Sequence, residues 1–137
     1  MSDRSEKVQL VADKMSEQVR VLAMSSPSAR RVGCVLLKKG RVVVSTTNLE
    51  GKTHPIQSNF AARVGQPYRV SLHAEIRALI KSRVRADTLI VGRVNKANKL
   101  CLSKPCPACQ LAISESGVKR VYYSTDGGKW EELKLSP

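Results

Sequence analysis

The most constraining feature of this sequence is an alternation of helical and β-branched segments along its second half. Apolar residues recur at helical spacing in Leu72–Ser82, and a β-branched run follows at Thr88–Val94. A second helical segment, Pro105–Ser116, has proline at its first position and Gly117 just past its end, and a second β-branched run covers Val118–Ser124. Strands that alternate with helices favour crossover connections, so we expect at least some parallel pairing in one sheet.

The first half adds a helix and a hairpin to this sheet. Apolar residues recur at three- and four-residue steps within Val8–Ala23 and predict an amphipathic helix. The β-branched runs Val32–Leu37 and Val42–Thr47 flank a short turn and predict a hairpin. A short helix is expected to begin near Pro55, and the tail from Lys129 is expected either to add an edge strand or to pack loosely.

Together these elements predict an α/β fold, a three-layer α/β/α arrangement with a mixed central sheet of four to five strands. The 137 residues suit a single domain over residues 1–137, since no repeat or long linker divides them. The sequence has no apolar stretch of transmembrane length and a polar N-terminus, so we expect a cytoplasmic protein with no membrane partner. In that compartment, Cys106-x-x-Cys109 favours metal or redox chemistry over a disulfide.

The net charge of +13 is concentrated in the middle of the chain. Residues 26–104 contain sixteen basic and three acidic side chains, whereas the segments on either side are each neutral overall. A field of this sign attracts anions, and nucleotides or nucleic acid are the natural partners. The alternative is that the charge serves solubility alone.

Two short motifs contain the residue types that bind zinc. His73-Ala74-Glu75 opens one predicted helix, and Pro105-Cys106-Pro107-Ala108-Cys109 opens another. One imidazole and two thiolates form a suitable zinc ligand set, and the spacing of the two cysteines puts them on one side of a helical turn. The positive end of the helix dipole favours the thiolate forms. Three protein ligands leave a fourth position for water, and Glu75 is close enough in sequence to accept the proton of that water.

Two other interpretations of these cysteines remain open. Cys101 would complete a closed, structural four-ligand site with the three residues above, although such a site leaves Glu75 without a role. A redox Cys-x-x-Cys pair would leave both His73 and Glu75 unexplained. Cys34 and Cys101 are otherwise expected to be small buried residues.

The two motifs resemble the H-x-E…P-C-x-x-C signature of the zinc-dependent cytidine/deoxycytidylate deaminase superfamily. The likeness extends to Val32-Gly33-Cys34-Val35-Leu36, which resembles the first strand of that family, and to Thr46-Thr47-Asn48, which resembles the end of its second strand. Ser103-Lys104 takes the place of residues whose backbone lines the base pocket. The resemblance covers residues 5–125 and implies the cytidine deaminase-like fold.

The resemblance also implies hydrolytic deamination of cytosine at C4, which releases ammonia and leaves uracil. His73, Cys106 and Cys109 are then the ligands of one catalytic Zn²⁺ ion. Glu75 takes a proton from the attacking water and delivers protons to N3 and to the departing amino group. The implied substrate contacts are Asn48, Ala74, Ser103, Lys104 and Pro105.

Three further residues are candidates for substrate contact. His54 is expected either to cap the short helix that follows it or to contact a sugar or phosphate. Lys52 is a candidate phosphate ligand, with a solvated loop lysine as the alternative. Arg77 belongs to a basic strip, which is either a solvated face or a phosphate-binding rim. The other members of this strip are Lys81, Arg83 and Arg85.

The substrate is less constrained than the reaction. The residues after Cys109 depart from the usual patterns of cytidine and transfer-RNA adenosine deaminases, and Arg77 stands where deoxycytidylate deaminases usually have Asn. None of these three subfamilies fits cleanly, and the length fits a compact, phage-type nucleotide deaminase best. We expect a cytidine or deoxycytidine nucleoside or nucleotide, with cytosine or adenine in single-stranded DNA or RNA as the alternative because of the charge. A non-catalytic, zinc-stabilised nucleic-acid-binding module is a third hypothesis. Members of the family commonly associate, so the resemblance also implies a homo-oligomer.

Overall fold

A computed structural model describes residues 3–49, 54–66 and 71–135 of the protein, with the side chains of the first helix described from residue 14 onward. Four helices and six strands lie in these ranges. They are α1 (Asp3–Met24), β1 (Arg31–Lys38), β2 (Arg41–Thr47), α2 (Pro55–Arg63), α3 (Ala74–Lys81), β3 (Thr88–Val94), β4 (Leu100–Cys101), α4 (Pro107–Ser116), β5 (Arg120–Ser124) and β6 (Trp130–Leu133). None of these helices is long and apolar enough to cross a membrane.

The strands form one mixed sheet in the order β2-β1-β3-β5-β6, and the two-residue β4 pairs with β3 at the side of this path. β1 is antiparallel to both β2 and β3, and β5 is antiparallel to β6. β3 and β5 are parallel, with α4 in the connection between them. The predicted mixed sheet and its parallel pair are therefore confirmed, and β4 is an addition that the sequence did not predict.

Helices cover both faces of the sheet, because successive residues of its buried strands point to opposite sides. The face under α1 contains Val35, Leu37, Ile90, Val94, Tyr122 and Trp130, which pack with Val19 and Ala23. The face under α3 and α4 contains Cys34, Leu36, Leu89, Val91, Val121 and Tyr123, which pack with Ala74, Ala78 and Ile113. The predicted three-layer α/β/α arrangement is confirmed.

The observed element ends differ from the predicted ones at places that matter for the site. Both motif helices begin two residues later than predicted, so that His73 and Cys106 are the N-cap residues of α3 and α4. Pro107 takes the first helical position of α4, where its fixed φ angle suits a helix start. The tail forms the edge strand β6, in which Trp130 is buried.

Two glycines provide the flat surface on which α1 packs. Gly33 of β1 and Gly92 of β3 are direct neighbours across the sheet. A Cβ atom at Gly33 would lie 2.8 Å from the backbone nitrogen of Ala23, and one at Gly92 would lie 2.7 Å from Cγ1 of Val19. The absence of side chains at these positions thus lets the helix backbone approach the sheet closely.

We predict that Gly33→Ala lowers the free energy of unfolding by about 1–3 kcal/mol, because the new methyl group meets helix backbone and forces α1 away from the sheet. Gly92→Ala should cost less, since its nearest contact is a side-chain methyl group that can rotate. Urea unfolding of both variants and the wild type measures the difference. Equal stability of Gly33→Ala and the wild type would show that α1 does not rest on this glycine.

Candidate active site

Three side chains of the kind that bind zinc meet between the N-termini of α3 and α4. His73 Nδ1 lies 3.2 Å from the sulfur of Cys109 and 3.4 Å from the sulfur of Cys106. All three donor atoms lie within 4.8 Å of one another. One imidazole nitrogen and two thiolates in this span fit a tetrahedral zinc ion with one open position. Cys101 is buried but is not a member of this group, which argues against the closed four-ligand site.

The electrostatics of this group favour one thiolate before any metal binds. A hydrogen bond with Cys109, supported by one with His73, lowers the pKa of Cys106 to about 4. The hydrogen bond with Cys106, together with burial, raises the pKa of Cys109, and the hydrogen bond with Cys106 raises the pKa of His73. Both cysteines lie at the start of α4, where unpaired backbone N–H groups and the helix dipole stabilise negative charge.

Contacts from two other elements fix the start of α3. The Thr46 hydroxyl near the end of β2 donates a hydrogen bond to the Ala74 carbonyl at 2.8 Å. The side chain of Gln57 in α2 is fully buried, and its Oε1 accepts a hydrogen bond from the His73 backbone nitrogen at 3.2 Å. The backbone on both sides of the His73 side chain is therefore held in place by the protein itself.

A buried pair of serines fixes the segment that leads into α4. Ser103 Oγ and Ser124 Oγ lie 2.8 Å apart, and both side chains are buried. Ser103 Oγ also accepts from the Ser124 backbone nitrogen at 3.0 Å, and Ser124 Oγ donates to the Cys101 carbonyl at 2.6 Å. This network ties the segment before Cys106 to the end of β5.

A cavity of about 310 Å³ opens beside the metal-binding group. This volume lies at the lower end of the range for small-molecule sites, and it fits one small ring-bearing ligand. The charged and polar residues of its wall are Arg30, Asn48, Ser71, His73, Glu75, Ser103 and Lys104. The remaining lining residues are Val32, Leu49, Leu72, Ala74 and Cys106.

Glu75 supplies the carboxyl group in the described wall of this cavity. It lies in the first turn of α3, two residues after His73, and is only 6% exposed. Burial raises the pKa of Glu75, while the charge of His73 opposes that shift. A carboxyl group whose pKa is moved toward neutral can accept a proton and return it, which is the property of a general acid–base group.

Most of the sequence-predicted site residues meet at this cavity. Those that line it are Asn48, His73, Ala74, Glu75, Ser103, Lys104 and Cys106. Cys109 is buried, is not among the lining residues, and completes the metal-binding group. Pro105 is also buried and is not among the lining residues. Its carbonyl accepts a hydrogen bond from Gln110 Nε2 at 2.8 Å.

The Asn48 side chain is bonded to the loop between α1 and β1. Its Oδ1 accepts from the Ser26 hydroxyl at 2.7 Å and from the Val32 backbone nitrogen at 3.1 Å. Its Nδ2 donates to the Arg30 carbonyl at 2.6 Å. Asn48 thus organises one side of the cavity, and the sugar contact that the resemblance implies for it stays a prediction.

The other candidate residues lie away from the cavity lining. His54 caps α2, because its Nδ1 accepts from the Ile56 backbone nitrogen at 3.1 Å, which supports the first of its two predicted roles. Arg77 donates to the Thr47 carbonyl at 3.0 Å and is not among the lining residues. The basic strip that includes it continues toward the far end of α3. Lys52 lies outside the described residues.

Sequence analysis did not identify three residues that belong to this site. Arg30 lines the cavity, Gln57 holds the His73 backbone, and Ser124 anchors Ser103. None of them belongs to a spaced motif, because each acts on a residue that is distant along the chain. The one available signal was a polar residue, Gln57, among the inward-facing positions of a short amphipathic helix.

Comparison with known proteins agrees with this site. A family model described as the cytidine and deoxycytidylate deaminase zinc-binding region matches residues 8–125. A curated deoxycytidylate deaminase of Schizosaccharomyces pombe is 34% identical over 105 residues, which make up 70% of this chain. The chain spans about a third (31%) of the length of that relative.

Two solved structures share the fold. A dCMP deaminase from the cyanophage S-TIM5, in complex with dCMP and dUMP, is 23% identical with a TM-score of 0.57 over 84% of this chain and 81% of that one. A cytidine deaminase from Burkholderia pseudomallei is 18% identical with a TM-score of 0.61 over 89% of this chain and 91% of that one. The donor set suits zinc, and the matched region is a zinc-binding one, so zinc is the cofactor. Since the family model covers most of the sequence, including both metal-binding motifs, this chain belongs to the cytidine and deoxycytidylate deaminase zinc-binding family.

Proposed function

We propose that this protein is a zinc-dependent enzyme that hydrolytically deaminates the cytosine base of a cytidine or deoxycytidine nucleoside or nucleotide. The observation that carries this function is the buried Glu75 carboxyl in the wall that also presents His73 and Cys106. These two residues and Cys109 would hold the ion. When bound there, zinc supplies a water of lowered pKa as a nucleophile at neutral pH.

Glu75 moves the protons of the proposed reaction. Water and cytosine give uracil and ammonia, so protons from the water must reach the departing amino group. The ring must also be protonated at N3 before C4 accepts a nucleophile. Glu75 takes the proton of the water, delivers it to N3, and then carries the second proton to the amino nitrogen. Burial of this carboxyl raises its pKa, which favours the return of each proton to the substrate.

Hydrogen bonds within the protein already fix the walls of the cavity, so these walls need not become more ordered when the base binds. The Ser103 segment is tied to the sheet by the serine pair, and the Ala74 carbonyl is tied to Thr46. A ring bound between these fixed walls meets Glu75 in one orientation, which lowers the entropic part of the barrier.

The lining of the cavity favours a single nucleoside or nucleotide over a polynucleotide as the substrate. Proteins that bind single strands usually stack successive bases on aromatic side chains. No Phe, Tyr or Trp lines the cavity among the described residues. Single-stranded DNA or RNA remains the alternative substrate because of the net charge of +13.

We predict that Glu75→Gln lowers kcat/KM by about 10²–10⁴-fold while the protein keeps its zinc and its stability, because an amide cannot accept the proton of water. Ammonia release measures the rate. Glu115→Gln is the matched control, since Glu115 pairs with Arg63 at the surface and should leave the rate unchanged. A Glu75→Gln enzyme with the wild-type rate would show that Glu75 does not move the protons of the reaction, and absence of ammonia release from the wild type itself would favour the non-catalytic nucleic-acid-binding module.

We predict one zinc per chain in the wild type, and its loss in His73→Ala, Cys106→Ser and Cys109→Ser, because each removes one of only three protein ligands. Cys101→Ser should retain the zinc, since Cys101 is not part of the donor group. Elemental analysis of the purified proteins measures the zinc content. Loss of zinc from Cys101→Ser would instead support a closed structural site.

A substrate panel tests the proposed reaction directly. Zinc-loaded protein is assayed on cytidine, deoxycytidine, their monophosphates, adenosine and a cytosine-containing single-stranded oligonucleotide. The cytosine-to-uracil absorbance change and ammonia release are followed together. We expect turnover of the cytosine nucleosides or nucleotides. Turnover of the oligonucleotide alone would contradict the proposed substrate class and make the protein an enzyme of single strands.

A further inference from the structure

We infer that the end of the sheet opposite the catalytic cavity is a binding surface for the phosphate backbone of duplex DNA. This surface, called the basic end below, consists of exposed cations on three chain connections. They are Lys38, Lys39, Arg41, Arg83, Arg85, Lys119 and Arg120. The inference goes beyond the proposed deaminase function, because the ligand is different and no residue of the basic end lines the cavity.

Strand pairing brings the three connections together. β1 ends at Lys38, whose partner Arg41 begins β2. β3 begins at Thr88 beside Leu37, and β5 begins at Arg120 beside Thr88. The cavity is lined by residues around the start of β1 and after the end of β2, at the other end of the sheet. The eight residues of β1 span about 26 Å, which is about three Debye lengths at physiological salt, so the basic end is electrostatically separate from the cavity.

Asp87 holds the three connections in one arrangement. Its backbone nitrogen donates to the Leu37 carbonyl at 2.9 Å, and its carbonyl accepts from the backbone nitrogens of Lys119 at 2.9 Å and Arg120 at 3.1 Å. Its carboxylate accepts from the Lys39 backbone nitrogen at 2.9 Å. This hydrogen bond lowers the pKa of Asp87, and the nearby charge of Lys119 adds to the shift. The cations therefore lie on a backbone that is fixed before any ligand binds.

The positive charge of the basic end is not neutralised by the protein. Asp87 is the one acidic residue in segments 38–41, 82–87 and 117–120, all of which the structure describes. No cation of the basic end forms a salt bridge or a side-chain hydrogen bond with another described residue, whereas Arg63 pairs with Glu115. Arg85 extends across to the third connection, since its Nε would lie 2.7 Å from a Cβ atom at Gly117. These cations create a field that attracts polyanions.

The width of the basic end suits a ligand with many phosphates. Four neighbouring strands, β2, β1, β3 and β5, end there. Three strand spacings of about 4.8 Å make about 14 Å. Duplex DNA carries one charge per about 1.7 Å of its axis, so about eight phosphate charges lie along this distance. A single nucleotide has too few phosphates to engage cations on all three connections.

The residue types at the basic end favour a duplex over a single strand. Surfaces that bind single strands usually stack bases on aromatic side chains. Segments 38–41, 82–87 and 117–120 contain no Phe, Tyr or Trp. Contacts there are consequently limited to the backbone, and a duplex offers the higher density of phosphate charge.

The same residue types favour DNA over RNA and over a membrane. Proteins recognise duplex RNA partly through its 2′-hydroxyl groups. The carboxylate of Asp87, which would be an acceptor for them, is already bonded to Lys39 and to the Thr88 hydroxyl. Segments that bind an anionic membrane usually present Trp, Phe or Leu, whereas the basic end exposes only Val84 between its two arginines.

The test measures binding by fluorescence anisotropy, with a labelled DNA duplex of about 21 base pairs, or two helical turns. We expect a Kd of about 10⁻⁶–10⁻⁴ M at physiological salt, without sequence preference. The triple variant Lys38→Gln, Arg83→Gln and Lys119→Gln removes one cation from each connection. It should weaken binding at least about tenfold at about 0.1 M salt. It should also reduce the slope of log K against log salt concentration by about 2.7, or 0.9 for each lost phosphate contact.

A matched triple variant separates position from net charge. Lys96→Gln, Lys99→Gln and Lys129→Gln remove three exposed cations from turns at the cavity end of the sheet. This variant loses the same charge, and we expect it to bind the duplex almost as tightly as the wild type. Urea unfolding confirms that both variants fold. Equal weakening by the two variants would show that only net charge acts, and would overturn the inference.

Three further outcomes would also overturn it. They are tighter binding to an RNA duplex of the same length, tighter binding to vesicles of equal parts phosphatidylcholine and phosphatidylserine, and preference for a single strand that deoxycytidine displaces. Both triple variants should release ammonia from the substrate at the wild-type rate, because none of the six residues lines the cavity. Duplex binding that depends on the basic end, in a wild type without turnover, would support this inference and contradict the deaminase function.

Discussion

Negative charge inside the cavity is the constraint on which the rest of this structure depends. Glu75 and Cys106 both line the cavity, and the buried Cys109 belongs to the same donor group as Cys106. Buried anions destabilise a fold unless cations or dipoles compensate them. Two helix N-termini and the zinc ion that His73, Cys106 and Cys109 would hold provide that compensation at the centre. Hydrogen bonds with Cys109 and His73 lower the pKa of Cys106, so these protein groups also favour its thiolate form.

The sheet explains why these groups meet. β3 and β5 are parallel, and the chain between them returns through α4 along the face that α3 also covers. α4 therefore begins beside the start of α3, which presents Cys106 and Cys109 to His73. The small residues Ala74 and Ala78 let α3 pack closely on the strands, as Gly33 and Gly92 do for α1 on the other face.

The sequence predicted the features that depend on regular spacing of residue types along the chain. Periodic apolar residues indicated the helices and strands, and the motifs at His73 and Cys106 indicated the metal-binding group. Two-residue errors at the helix starts arose because a residue before a helix and one in its first turn have similar sequence signals. β4 was missed because two residues in a polar connection carry no period, and their strand conformation comes from pairing with Arg93 and Val94.

The contacts that complete the site could not be predicted, because each joins residues without a local pattern. Gln57 is a polar residue on a buried helix face, and only its bond to the His73 backbone explains it. Ser103 and Ser124 are separated by 21 residues and meet through strand pairing and the turn before α4. In the sequence Arg30 is one more charge in a basic chain, and only the fold places it in the cavity wall, where Asn48 binds its carbonyl.

This distribution divides the residues of the site into those at the starts of packed helices and those on exposed connecting segments. The groups proposed for the reaction lie at the starts of two packed helices, where a substitution disturbs the core and the charge balance together. Arg30 and Lys104 lie on exposed connecting segments, where a substitution leaves the core intact. Asn48 connects the cavity wall with one of these exposed segments, because it lines the cavity and also binds the Arg30 backbone. Substitutions at Arg30 and Lys104 are therefore expected to leave the zinc ligands and Glu75 in place, whereas substitutions at the two helix starts are expected to disturb them.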